Sequence, residues 1–154
     1  MRAINHAITG AFIGLAISEP VAAIPVAIAS HFVCDAIPHY DGVSSDKGKA
    51  KWLRSKTFRY LLYADAILCG GLVLVLALKH PFDWQLAAIC AFAAAAPDFL
   101  WLKRYLNRHS KQQTRPNAFS RFAGRIQWFQ RPIGAVVEIA WFVAGLLILA
   151  PFIR

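Results

Sequence analysis

Apolar residues in this chain do not alternate, and they do not recur as a single stripe. They run on. Five stretches, at about residues 3–17, 21–37, 58–78, 84–102 and 132–153, are apolar on nearly every side, and polar residues gather between them. A helix that is apolar all round belongs in a large core or in lipid. At 1.5 Å of rise per residue, the last three stretches reach about 30 Å, the thickness of a bilayer's hydrocarbon layer. The first two are shorter and are joined only by Ser18, Glu19 and Pro20. They predict a tight hairpin of thin or tilted helices, or a re-entrant pair. The pattern as a whole predicts an all-α fold: one multi-pass membrane domain over residues 1–154, an integral helical bundle of about five hydrophobic helices with basic loops at 39–57 and 103–131.

Composition sharpens this reading. Only 16% of the residues are charged, against about a quarter in an ordinary soluble domain. The charges are also unevenly placed. Residues 39–59 carry six Lys/Arg and residues 103–131 carry eight, whereas the joint between the first two stretches has none. The positive-inside rule then predicts both basic loops on the cytoplasmic side of a prokaryotic inner membrane, with Arg2 inside and the C-terminus outside. The net charge of +9 reads as topology and attraction to anionic lipid headgroups. No nucleic-acid-binding motif accompanies it, so nucleic acid is not an expected partner. The oligomeric state is not legible.

One feature of the N-terminus competes with this reading. Met1 and Arg2 before an apolar stretch, with Ala27-Ile28-Ala29 downstream, imitate a signal peptide. Glu19, Pro20 and Pro25 interrupt that stretch and hydrophobicity continues past the cut, so retention is expected. In the second basic loop, "NAFSRFAGRIQWFQR" spaces Phe119, Phe122, Ile126 and Phe129 at helical steps, with Arg121 and Arg125 between them. This predicts a cytoplasmic amphipathic helix, capped near Asn117, lying on the membrane surface or packed under the bundle. Cys34, Cys69 and Cys90 lie in apolar stretches without C-x-x-C spacing and read as small buried hydrophobes.

The chemistry lies in the ionisable residues that interrupt the apolar stretches. In "HFVCDAIPHYD", His31 and Asp35 are four apart and share a helical face. Pro38 then ends the helix, and His39 and Asp41 follow. His6 lies near the start of the first stretch, Asp65 in the third, Asp98 near the end of the fourth and Glu138 early in the fifth. By the predicted topology all five stretches bring an ionisable group to similar depth on the cytoplasmic side. Ionisable groups within a membrane are costly, and by default mark a functional site. Imidazoles together with carboxylates suit zinc, or iron or manganese. The expected site therefore has His6, His31, Asp35, His39 and Asp98 as ligands to one or two divalent transition-metal ions, zinc foremost, with Asp65 or Glu138 as second-metal ligand or general base. The alternatives are a structural polar network and an ion or proton pathway. The pathway reading is weakened because the opposite half carries only Glu19, His80 and Asp83, all at loops.

"NHAITGAFIGL", "HFVCDAIPHYD" and "APDFLW", spanning about residues 5–41 and 95–101, resemble the predicted membrane-bound metal-dependent hydrolases, small multi-pass prokaryotic proteins. The order His31, Asp35, Pro38, His39 is also similar to the zinc-binding signature of zinc-dependent phospholipase C. The resemblance implies a metal-dependent hydrolase, and the interfacial depth of the site points to a membrane lipid substrate, a phosphoester before an acyl ester or amide. The competing expectation is a non-catalytic membrane scaffold or metal-binding protein whose His/Asp cluster orders the bundle.

Overall fold

Long apolar runs with proline or a hydroxyl residue at their starts form helices, and the computed structural model contains six α-helices over the residues it describes, 1–40, 55–107, 118–126 and 132–153. These are α1 (Ala3–Ala16), α2 (Pro20–Ala36), α3 (Lys56–Lys79), α4 (Trp84–Asn107), α5 (Ala118–Ile126) and α6 (Gly134–Leu149), which ends in a 3-10 turn at Ala150–Phe152. Among the described residues every regular element is helical. Most of both basic loops, with Asp41, Asn117 and Phe129, lies outside the described residues.

Local chemistry accounts for the boundaries. Pro20 opens α2, where a missing N–H costs nothing, and the Glu19 side chain accepts from the Val21 N–H at 3.3 Å. Ser55 caps α3 by accepting from the Phe58 N–H at 3.0 Å. His80 closes α3 in the left-handed conformation, its N–H donating to the Leu76 carbonyl. α4 runs five residues past the expected end at 102, because Lys103, Arg104 and Leu106 are good helix formers and nothing there breaks the ladder. α6 begins at Gly134, after a turn through Pro132 and Ile133.

α1 is the axis of the molecule. It touches α2, α3, α4 and α6, and nine of its fourteen residues are buried. Its closest neighbour is α4, which crosses it antiparallel. A methyl group on Gly10 would run into the Cys90 carbonyl, and one on Gly14 would meet the Ala87 backbone at 2.6 Å. Only glycine permits this approach, and the facing residues of α4, Ala87, Ala91 and Ala94, are equally slim. Trp141 of α6 is tied to the same helix, its indole Nε1–H donating to Thr9 Oγ1 at 3.1 Å.

The outer helices are buried on one narrow side. α3 buries Leu72 and Leu76, and α6 buries Gly134, Glu138 and Leu149. Their remaining apolar residues stay uncovered, with Ile67, Leu78 and Leu147 each about 70% exposed. Lys56–Lys79 and Gly134–Phe152 are long and apolar enough to cross a membrane, while Ala3–Ala16, Pro20–Ala36 and Trp84–Phe99 are shorter.

Candidate metal centre

The first two turns of the chain gather nearly every ionisable group singled out in the sequence. The α-amino group of Met1 lies 2.7 Å from Asp35 Oδ1. Arg2 reaches Asp65 Oδ2 with Nη1 at 3.4 Å and Glu138 Oε2 with Nε at 3.9 Å. Asn5 Nδ2 donates to the Glu138 backbone carbonyl at 3.1 Å. His6 follows, fully buried.

His6 from α1 and His31 from α2 stack, with ring centroids 4.1 Å apart and planes 27° from parallel. Their Nε2 atoms face the same two carboxylates. Asp35 Oδ1 is 3.3 Å from His6 Nε2, and Asp35 Oδ2 is 3.4 Å from His31 Nε2. Asp98 of α4 stands slightly farther away, at 4.0 Å from His6 Nε2 and 3.9 Å from His31 Nε2. One ligand atom each from His6, His31 and Asp98 lies within 4.8 Å of the others, so this trio could hold a metal ion.

The tautomer of His31 bears on that possibility. Its Nδ1 lies 2.8 Å from the Ala94 carbonyl, which only accepts, so Nδ1 carries a proton and donates. Nε2 is thereby turned toward Asp35 and Asp98, whose ionised oxygens also only accept. A neutral ring would set a lone pair against negative charge. A cation between them resolves the conflict, either a second proton on His31 or a metal ion. A metal-bound histidine typically donates its other ring N–H to a carbonyl or carboxylate, as here. His6 is wholly buried, with Nε2 facing Asp35 at 3.3 Å and Nδ1 without a hydrogen-bond partner among the described residues. A buried polar group left without a partner is costly, and an ion at one ring nitrogen would offset part of that cost. Donors around a tetrahedral zinc lie about 3.3 Å apart, close to the Asp35 separations and somewhat inside those of Asp98.

The remaining predicted residues fall beside this group. Asp65 and Glu138 are joined through Arg2, forming a second cluster around the same end of α1. His39 is buried, but its Nδ1 donates to the Ile37 carbonyl at 2.9 Å and its backbone packs against Gly134. Ile37 ends α2 in an extended conformation imposed by Pro38, so His39 does not continue the helical face of His31 and Asp35. It is not one of the three residues whose donors converge. Cys34 is buried with Sγ 3.9 Å from Thr9 Oγ1, and all three cysteines are free thiols.

Two contributors escaped the sequence reading. Arg2 reads from the sequence only as a topological charge, although it precedes His6 by four residues and so approaches the same face of α1. The Ala94 carbonyl has no sequence signal beyond its place one turn before Asp98. No family model, curated protein or solved structure matches the chain.

Proposed function

We propose that this protein is a membrane-embedded, metal-dependent hydrolase of a lipid phosphoester, working at the cytoplasmic interface of a prokaryotic inner membrane. The observation that carries the reading is the meeting of two buried imidazoles, through Nε2, with buried Asp35 and partly exposed Asp98, from three different helices, with His31 oriented through Ala94. His6, His31 and Asp98 hold one ion, and Asp35, closest to both rings, is the fourth donor. Mixed nitrogen and oxygen donors suit zinc first, then iron or manganese. A metal in such a site supplies hydroxide near neutral pH and polarises a phosphoryl oxygen.

The protein's own groups divide the remaining work. Glu138 or Asp65, both paired with Arg2, at 3.9 and 3.4 Å, is the proton acceptor in this reading. Arg2 holds both carboxylates at the centre's edge and offsets their charge. The two long apolar helices and their uncovered faces support the membrane setting. The fourteen Lys/Arg in or bordering the two basic segments support a cytoplasmic orientation and attraction of anionic headgroups. The resemblance to membrane-bound metal-dependent hydrolases points the same way.

Arg2 also favours a second reading, a scaffold whose polar clusters only order the bundle, since an arginine between two carboxylates suffices to bind α1 to α3 and α6. Elemental analysis of detergent-purified protein separates the two. The hydrolase reading expects stoichiometric transition metal and release of headgroup or phosphate from mixed bacterial lipids. Metal-free protein after zinc, iron and manganese reconstitution, with no lipid turned over, establishes the scaffold.

A further inference from the structure

Next to the metal centre, α2 and α4 leave a groove of about 490 Å³ lined by Ile28, Phe92, Ala93, Ala96, Pro97 and Phe99. That volume falls within the roughly 300–1,000 Å³ of small-molecule sites, and among the described residues every lining side chain is apolar. We propose that this groove holds one acyl chain of an anionic phospholipid and thereby sets its phosphate at the metal centre. The proposal rests on the lipid-hydrolase reading and names the part of the substrate that the ligands themselves do not touch.

Three observations choose this occupant. First, the groove and the centre share both walls. Ile28 lies one turn before His31 on α2, Pro97 directly precedes Asp98 on α4, and Ala93 adjoins the residue whose carbonyl orients His31. A chain in the groove therefore lies one residue along α4 from Asp98 and one turn along α2 from His31. Second, the walls are slim at the centre and bulky at the border. Ala93, Ala96 and Pro97 leave the space, and Phe92 and Phe99, stacked on each other with centroids 6.0 Å apart, border it together. Third, basic residues stand near the end by His31. Phe32, one turn past Ile28, packs against Phe122 of α5 at 5.6 Å between centroids. α5 thus brings Arg121 and Arg125 to that end of α2, both exposed. An apolar slot beside a cation-binding centre and two guanidiniums complements an acyl chain carrying a phosphate. An uncharged ligand would leave the arginines unused, and a free phosphate would leave the groove empty.

The test is photolabelling in nanodiscs of phosphatidylethanolamine and phosphatidylglycerol, doped with phosphatidylglycerol bearing a diazirine in one chain. Crosslinked peptides are mapped by mass spectrometry and metal content is measured on the same samples. Label is expected on Ile28 and on 92–99 in excess of the outer face of α3 at Ile67, Leu74 and Leu78, which reports ordinary surrounding lipid. Ala96→Trp and Ile28→Trp, which fill the groove from opposite walls, are each expected to abolish the excess while leaving metal content at the wild-type level. Label spread evenly over α3 and the groove overturns the proposal, as does excess label that persists in both filled variants. Excess groove label on metal-free protein upholds the acyl site while removing the hydrolase reading, so the two failures are told apart.

Discussion

Gly10→Ala tests the crossing on which the centre depends. The added carbon would sit 2.7 Å from the Cys90 carbonyl carbon and 2.8 Å from Ala94 Cβ, besides striking the carbonyl oxygen. Carbon atoms rest comfortably at about 3.5–4.0 Å, so α1 and α4 must part by roughly 1 Å. The obstacle is largely backbone, which has no alternative rotamer. Overpacking of this kind costs about 1–3 kcal/mol, or roughly a 5- to 150-fold loss in the folded-to-unfolded ratio. His6 precedes Gly10 by one turn and Asp98 follows Ala94 by one turn, so the same displacement widens the 4.0 Å between them and weakens metal binding. Gly70→Ala is the control. Among the described residues no atom lies within 4 Å of its added carbon, and an exposed helical glycine replaced by alanine gains up to about 1 kcal/mol. Unfolding in mixed detergent followed by circular dichroism, with zinc titration alongside, is expected to move the two variants in opposite directions. Wild-type stability in Gly10→Ala, or the same sign for both, refutes the argument.

Other outcomes follow from the same geometry. Asp35→Asn replaces an anionic donor with a weaker neutral one at nearly unchanged volume and is expected to lower zinc affinity, measured by competition with a chelating dye; undiminished affinity removes Asp35 from the ligand set. Glu138→Gln is expected to keep the metal and lose phosphate release, whereas unimpaired turnover would move the base elsewhere. Cysteines placed by Ser45→Cys and Ser110→Cys, in a chain lacking Cys34, Cys69 and Cys90, are expected to resist an impermeant thiol reagent in intact cells. Labelling from outside would invert the topology and put the centre on the outer face.

The sequence made the helices legible because apolar runs of this length have few other solutions, and the pairing of His31 with Asp35 because four residues return a helix to the same side. The partition of the ionisable residues was not legible. Helices that are apolar all round carry little information about their rotation, so depth alone did not show that Asp65 and Glu138 turn to Arg2 while Asp98 turns to the imidazoles. The end of α2 before Pro38 was legible at short range, but the course of the redirected chain, which turns the His39 ring back onto the Ile37 carbonyl, was not.

The central place of α1 has a consequence for the order in which the protein is made. This helix precedes its partners along the chain, yet Arg2 meets Asp65 across 63 residues and Asn5 meets Glu138 across 133. Its polar face therefore emerges from the ribosome long before α6 exists to cover it. Contacts of such separation form late, because the intervening chain must be gathered first. The candidate metal site draws only on α1, α2 and α4, so His6, His31 and Asp98 are all synthesised before α6. An ion captured at that stage would hold the axis of the bundle while its last wall is still being added.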